Sequence, residues 1–299
     1  MKMTRSRNLL IAVATMGLLA SQAYASPEKL TFCSGGEGGF YESLATTVGG
    51  AIVKGTTTKL QVLNTGGSIE NAEKLTDREC DIAVIQADAV ITQKMPPDVK
   101  VIDAHTEMVY WLFPKGGKVD DFADMSDKKT AAKYSFATVT GSGALVTLKN
   151  WIKTDKDYEG AVPIEFDSWY SAAEAVSQGY VVKAGVRIEI AGMLYIGRPG
   201  KITSDITEDF GQQLIIGEVD NSAFRSVKDA NNNQLYTTCE VQKEARSGLE
   251  TSARTPDTYC LKAQIVFNNA YLEGLDPAEA KKVRRAVDKG INSTVKAVR

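Results

Sequence analysis

Residues 30–52 read LTFCSGGEGGFYESLATTVGGAI. The apolar run Leu30, Phe32, Cys33 predicts a strand. Gly35-Gly36-Glu37-Gly38-Gly39 breaks it, and the chain from Tyr41 predicts a helix. Strand, glycine loop and helix in that order bring bare backbone N–H groups to a helix N-terminus, where they can face a bound anion. Gly36 and Gly39 are the first candidate ligand contacts.

The same device recurs along the chain. Lys59–Leu63 predicts a second strand ending in Asn64-Thr65-Gly66-Gly67-Ser68, with Ser68 expected to cap a helix that carries Ile69, Ala72 and Leu75 on one face. Asp81–Ile85 (DIAVI) reads as a buried strand that ends at Gln86-Ala87-Asp88. Met108–Phe113 reads as a strand, and Pro114-Lys115-Gly116-Gly117 as a crossover. Beyond it, Tyr134–Val139 leads into Thr140-Gly141-Ser142-Gly143, and Val162–Phe166 into Asp167-Ser168-Trp169-Tyr170, each followed by a helical pattern. Val186–Ile190 and Leu214–Ile216 read as later strands, and a helix starts near Asp276-Pro277 and runs to the end. The expectation is an α/β fold with mostly parallel sheets. Four strand ends, near Gly36, Ser68, Ser142 and Ser168, feed helix N-termini. Two lobes facing each other across those ends would form a cleft suited to a small anion. The expected division is lobe one at 26–112, lobe two at 113–215, and a return to lobe one over 216–299.

Upstream, Lys2, Arg5 and Arg7 precede the apolar run Leu9–Ala20, and Ala23-Tyr24-Ala25 fits a cleavage site. Residues 1–25 therefore read as a signal peptide, and the chain as an exported, soluble protein. Loss of three basic residues takes the net charge from −2 to −5, and no concentrated basic groove is evident, so nucleic acid is not an expected partner. In an oxidising compartment the four cysteines can form up to two disulfides. Cys239 and Cys260 bracket a polar segment that a bridge would tie down. Cys33 and Cys80 are harder to pair: they sit at the end of one strand and the start of another, so parallel neighbours would hold them at opposite edges.

No catalytic set is evident. There is no G-x-S-x-G elbow, no H-E-x-x-H, no cysteine pair at zinc spacing and no complete phosphate or dinucleotide loop. The single histidine, His105 in DAHTEM, reads as a surface or turn residue ahead of a strand. No metal and no cofactor is expected.

Three motifs together resemble the solute receptors of TRAP transporters in the TAXI family. The loop Gly35-Gly36-Glu37-Gly38-Gly39-Phe40-Tyr41 is similar to that family's GG-x-GG-x-Y. Thr65-Gly66-Gly67-Ser68-Ile69-Glu70-Asn71 is similar to its T-x-GS-x-EN, and Asp81–Asp88 (DIAVIQAD) to the motif that follows. Gly141-Ser142-Gly143 matches its second-lobe turn. The match is dense over 30–90, intermittent from 108 to about 220 and weak at 239–260. The resemblance implies a two-lobed periplasmic binding protein fold of type II. It implies a monomeric periplasmic receptor, not an enzyme, that captures a glutamate-like or dicarboxylic acid and hands it to a TRAP-type permease. An ABC-type receptor or an exported enzyme on a small anionic metabolite are the alternatives. Glu37 replaces a small hydroxyl residue, Ala144 a threonine, and Gly179-Tyr180-Val181-Val182-Lys183-Ala184 the family's G-x-[IV]-D-A, which points to a zwitterion or a ligand cationic at one end.

The ligand set read from loops and motifs is Gly36, Gly39, Tyr41, Thr65, Gly67, Ser68, Gln86, Asp88, Ser142, Gly143, Trp169 and Arg187. Tyr41, with Phe40, either walls the cleft or packs. Gln86 either faces the cleft or bonds backbone. Ser68 and Ser142 cap helices, donate to ligand, or do both. Trp169 is a lid or a core residue, and Arg187 either pairs with Glu189 in solvent or clamps a carboxylate. The basic residues Lys281, Lys282, Arg284, Arg285 and Lys289 read as a solvated helix face.

Overall fold

The computed structural model describes residues 28–229, 231–246, 248–273 and 275–298. The expected signal peptide lies outside the described residues. The first part of the chain runs β1 (Lys29–Cys33), α1 (Phe40–Val53), β2 (Lys59–Leu63), α2 (Ser68–Thr76), β3 (Ile82–Gln86), α3 (Ala87–Thr92) and β4 (Val99–Pro114). It continues through α4 (Lys128–Ala131), β5 (Ser135–Val139), α5 (Gly143–Thr154), β6 (Val162–Phe166), α6 (Trp169–Gln178), β7 (Tyr180–Lys183) and β8 (Val186–Gly197). The remainder is α7 (Ser204–Phe210), β9 (Leu214–Gly217), β10 (Thr237–Glu240), β11 (Glu250–Thr251), β12 (Asp257–Asn268) and α8 (Pro277–Val298).

Strand order carries the architecture. The sheet runs β2-β1-β3-β12-β4-β8-β5-β6, with β9 also on β4. It contains one arrangement twice. In the first half β2, β1 and β3 are parallel, β12 is antiparallel to β3, and β4 is antiparallel to β12. In the second half β6, β5 and β8 are parallel, β4 is antiparallel to β8, and β9 is antiparallel to β4. Each half thus places its first parallel strand between the second and third and adds an antiparallel strand beside the third. This is the two-lobed α/β architecture of type II periplasmic binding proteins. The expectation of mostly parallel sheets holds for each half's three-strand nucleus and fails in the middle, where long strands cross from half to half.

Core packing follows the strand alternation. β3 is buried on both sides: Ile82 and Val84 join α1 and α8, whereas Ala83 and Ile85 join α2 and α3, as a sheet covered on both faces requires. The second half packs Trp111, Phe122, Phe136, Trp151 and Phe224 on one side and Ala172, Val176, Ile206 and Phe210 on the other. The segment 219–249 belongs with this second half, because Val219, Phe224, Tyr236, Val241 and Leu249 are buried in those two clusters. The return to the first half is therefore made by β12, later than residue 216, and the expected boundary at 112/113 falls inside β4.

Both cysteine pairs are bridged. Cys239–Cys260 links β10 to β12 with Cα atoms 6.0 Å apart. Cys33–Cys80, expected to lie apart, is also a disulfide, with Cα atoms 5.8 Å apart. The reason is stagger. Phe32 and Cys33, the last residues of β1, pair with Ile82 and Ala83, the first of β3, and Thr31 N–H donates to the Asp81 carboxylate at 2.7 Å. The end of one strand therefore abuts the approach to the next. With sequence separations of 47 and 21, loop-closure entropy assigns ~4 kcal/mol to Cys33–Cys80 and ~3 kcal/mol to Cys239–Cys260. Denaturant titration of the paired Cys33→Ser/Cys80→Ser and Cys239→Ser/Cys260→Ser variants is expected to show the larger loss for the first. Equal or reversed losses would contradict that ranking.

Candidate functional site

Four helices begin on one cavity of about 790 Å³, which the glycine loops, Ser68, Gln86, Glu107, Ser142, Trp169, Tyr195 and Arg198 help to line. Helices α1 and α2 come from the first half and α5 and α6 from the second. Their N-cap residues are Gly39, Gly67, Ser142 and Ser168. A helix start leaves N–H groups without intrahelical partners and carries partial positive charge. Gly67 has φ 123°, a conformation that favours glycine, and a Cβ there would come within 3.3 Å of Ser142 Cα. The α2 and α5 loops therefore touch across the two halves, sealed by a bond from Ile69 N–H to the Gly141 carbonyl at 2.9 Å. Two loop N–H groups are already occupied by acids of their own helices: Gly38 donates to Glu42 at 2.6 Å and Gly66 to Glu70 at 2.7 Å.

The floor carries a buried acid. Glu107 is 5 % exposed. Gln86 Nε2 donates to its Oε2 at 2.8 Å, and the Tyr41 hydroxyl bonds to both Glu107 and Ser68. Burial first, and then the neighbouring Glu107 carboxylate, hold the Tyr41 phenol well above its ordinary value, so it stays protonated and donates. The Gln86 backbone N–H donates to Ser68 Oγ at 3.0 Å. His105 Nε2 stands 3.4 Å from Glu107 Oε1, and its ring meets Phe40 edge-on at 4.7 Å.

The opposite wall comes from β8 and the loop after it. Trp169 packs edge-on to Tyr195 at 5.0 Å, and burial pushes the Tyr195 hydroxyl up to about 12. The Arg198 guanidinium lies 4.2 Å from the Phe40 ring centre, a cation–π contact between the halves. Tyr110 fixes this loop by donating to the Arg198 carbonyl at 3.1 Å and accepting from Gly200 N–H at 2.9 Å. Lys201 also lines the cavity.

Of the residues read from the sequence, Gly36, Gly39, Tyr41, Gly67, Ser68, Gln86, Ser142, Gly143 and Trp169 line this cavity together. Three do not. Thr65 is turned inward, its hydroxyl 2.6 Å from Asn71 Oδ1. Arg187 is exposed on β8, paired with Glu189 at 2.9 Å and stacked over Tyr180 at 3.8 Å. Asp88 is fully buried where α3 meets α5, accepting from the Thr147 and Tyr236 hydroxyls. Ser68 does not cap α2, a role taken by Gly67; its hydroxyl serves Gln86 and Tyr41 instead. Ser142 does cap, accepting from Leu145 N–H at 3.3 Å.

Glu107, Arg198 and the inward place of His105 escaped the sequence reading. His105 is 5 % exposed inside β4, not on a surface turn. A register shift is the cause. Ala263 pairs with His105 and Gln264 with Asp103, which leaves Ala104 bulged. Plain alternation would put His105 and Glu107 on the face of the exposed Val101 and Asp103; the bulge turns them toward α1.

No protein-family model matches the chain, and no curated protein matches it. Among solved structures it is similar to XAC2383 from Xanthomonas citri bound to ATP, at 10 % identity over 87 % of this chain and 82 % of that one, TM-score 0.49. A structure of glutathione import through GshT and the cystine ABC importer TcyBC of Streptococcus mutans aligns at 11 % identity over 91 % and 93 %, TM-score 0.47. The GluR0 ligand-binding core with L-glutamate aligns at 11 % over 92 % and 98 %, TM-score 0.46. The fold assignment stands on the strand order above.

Burial raises the Asp88 carboxyl to about 6, against the opposing hydrogen bonds from Thr147, Tyr236 and the Ala89 N–H. Its unfolded value is ~3.9, so the folded protein holds a proton the unfolded chain has released. The group's contribution to stability is complete below pH ~4 and is lost as pH rises through about 6, a swing of ~3 kcal/mol. Thermal melts from pH 4 to 7 are expected to show a shallower decline for Asp88→Asn than for the natural protein. Parallel profiles would contradict the assignment.

Proposed function

We propose that the protein is an exported solute receptor. It encloses one small carboxylate or zwitterion between its halves and delivers it to a membrane permease. The observation that carries this reading is the convergence of helix N-termini from both halves on a single cavity. Oriented N–H groups supply binding to an anionic group, and the aromatic walls exclude water. β4 and β12 cross between the halves and act as the hinge on which the cleft opens and shuts. Two disulfides suit an oxidising compartment such as the periplasm. The TRAP type of permease rests on the TAXI-like loops around Gly36, Gly67 and Gln86, and an ABC-type permease would accept the same architecture.

One observation favours a second reading, an exported enzyme. Glu107 and His105 lie beside the glycine loops, where a catalytic acid or base would be useful. Against it, neither ring nitrogen of His105 has a hydrogen-bond partner among the described residues, so it forms no nucleophile–base pair.

A thermal-shift screen of the mature protein against amino acids, dicarboxylates, keto acids, sugars and phosphate separates these readings. A ligand at ~100 times its Kd adds ~2.7 kcal/mol, several degrees for a chain this size. Stabilisation by one class of small acid, recovered unchanged after denaturation and lost in Gln86→Leu, is the expected result. Recovery of a converted product would favour the enzyme, and no shift from any solute would overturn the receptor reading.

A further inference from the structure

We propose that the cavity selects solutes bearing a protonated amine, with Glu107 as the ammonium acceptor and Arg198 together with the helix N-termini holding the anionic end. The solute is then an α-amino acid or a close zwitterionic relative, not a dicarboxylate or keto acid. This inference rests on the solute-receptor reading and narrows it.

The argument begins with the cost of the acid. A carboxylate withdrawn from water to 5 % exposure needs partners. Two of those present are neutral donors, the Gln86 amide and the Tyr41 hydroxyl. His105 Nε2 is 3.4 Å away, but both imidazole nitrogens lack a hydrogen-bond partner among the described residues. A positive group hydrogen-bonded to Glu107 is what the floor is missing, and the cavity gives access to it.

A second, independent group points the same way. Gln86 spends its Nε2 on Glu107, which leaves its carbonyl oxygen buried and without a hydrogen-bond partner among the described residues. That oxygen occupies the space a Cβ on Gly143 would fill, 1.3 Å from the Cβ position. Gly143 thus makes room for an acceptor at the start of α5. An ammonium group brings three donors and no acceptor, and Glu107 with Gln86 Oε1 offers two of the oxygens it needs. A second carboxylate, or the carbonyl of a keto acid, would bring only further acceptors against Glu107.

The cavity also carries a cation, Arg198, on a different element from Glu107. Phe40 touches both the His105 that neighbours Glu107, at its edge, and the Arg198 guanidinium, over its face. The starts of α1, α2, α5 and α6 add partial positive charge around the cavity. A zwitterion satisfies both ends at once.

The test is isothermal titration of the mature, ligand-stripped protein with matched pairs: L-glutamate and 2-oxoglutarate, L-aspartate and oxaloacetate, L-alanine and pyruvate, L-leucine and 4-methyl-2-oxopentanoate. The expected result is that any amino acid that binds does so ~100-fold or more tightly than its keto acid. Glu107→Gln should bring the two within ~10-fold, chiefly by weakening the amino acid. Equal binding of a keto acid and its amino acid by the natural protein overturns the ammonium site and leaves the receptor reading standing, without need of the variant. Absence of binding across both sets overturns this inference, while the receptor reading is decided separately by the wider thermal-shift screen.

Discussion

β4 and β12 each belong to both halves of the molecule, and the rest of the structure depends on that sharing. β12 lies between β3 and β4 and also carries β10, while β4 pairs first with β12 and then with β8 and β9. Two sheets of like topology joined this way present their strand ends toward each other. The helices that follow those strands then start on a common space. Around it the glycines are needed where backbones approach closely: Gly67 against Ser142, Gly143 against Gln86.

The same sharing places charge at the pivot. Met108 pairs with Cys260 on one side and Gly197 on the other, so Glu107 sits one residue from the point where β4 changes neighbours. The bulge at Ala104 turns that acid and His105 toward α1. On the proposed receptor reading, a residue there would contact ligand while moving little as the halves close. Opposing it, Arg198 reaches Phe40 from the second half, and Asp88 joins Thr147 and Tyr236 in a buried contact where α3 meets α5. The helix ends are not simply waiting for an anion, since Glu42 and Glu70 already accept from two loop N–H groups. In the proposed receptor, a solute must offer those loops more than these tethered acids do.

What the sequence reveals follows from which interactions are local. GGEGG, NTGGS, VTGSG and FDSW each encode strand, turn and helix start within a few residues, and nine of the twelve candidate ligand residues line the cavity together. The failures are non-local. The stagger of β1 on β3 that joins Cys33 to Cys80 is a property of sheet register, which neither strand specifies alone. DAHTEM reads as a turn ahead of a strand starting at Met108, whereas β4 starts at Val99 and one bulged residue turns His105 and Glu107 inward. Arg198, in a Gly-Arg-Pro-Gly turn, carries no local mark of its position; the Tyr110 hydroxyl, 88 residues earlier, holds that loop. Asp88 shows the limit of motif reading, since a neighbour of a cavity-lining residue can point the other way.

A crystal structure of the mature protein with its most stabilising solute would test most directly whether both halves build one site. The expected density lies in the cavity, with an anionic group on N–H groups from at least one helix of each half and the solute in contact with the β4 segment at Glu107. A solute bound elsewhere, or held by helices of one half alone, would contradict that assignment.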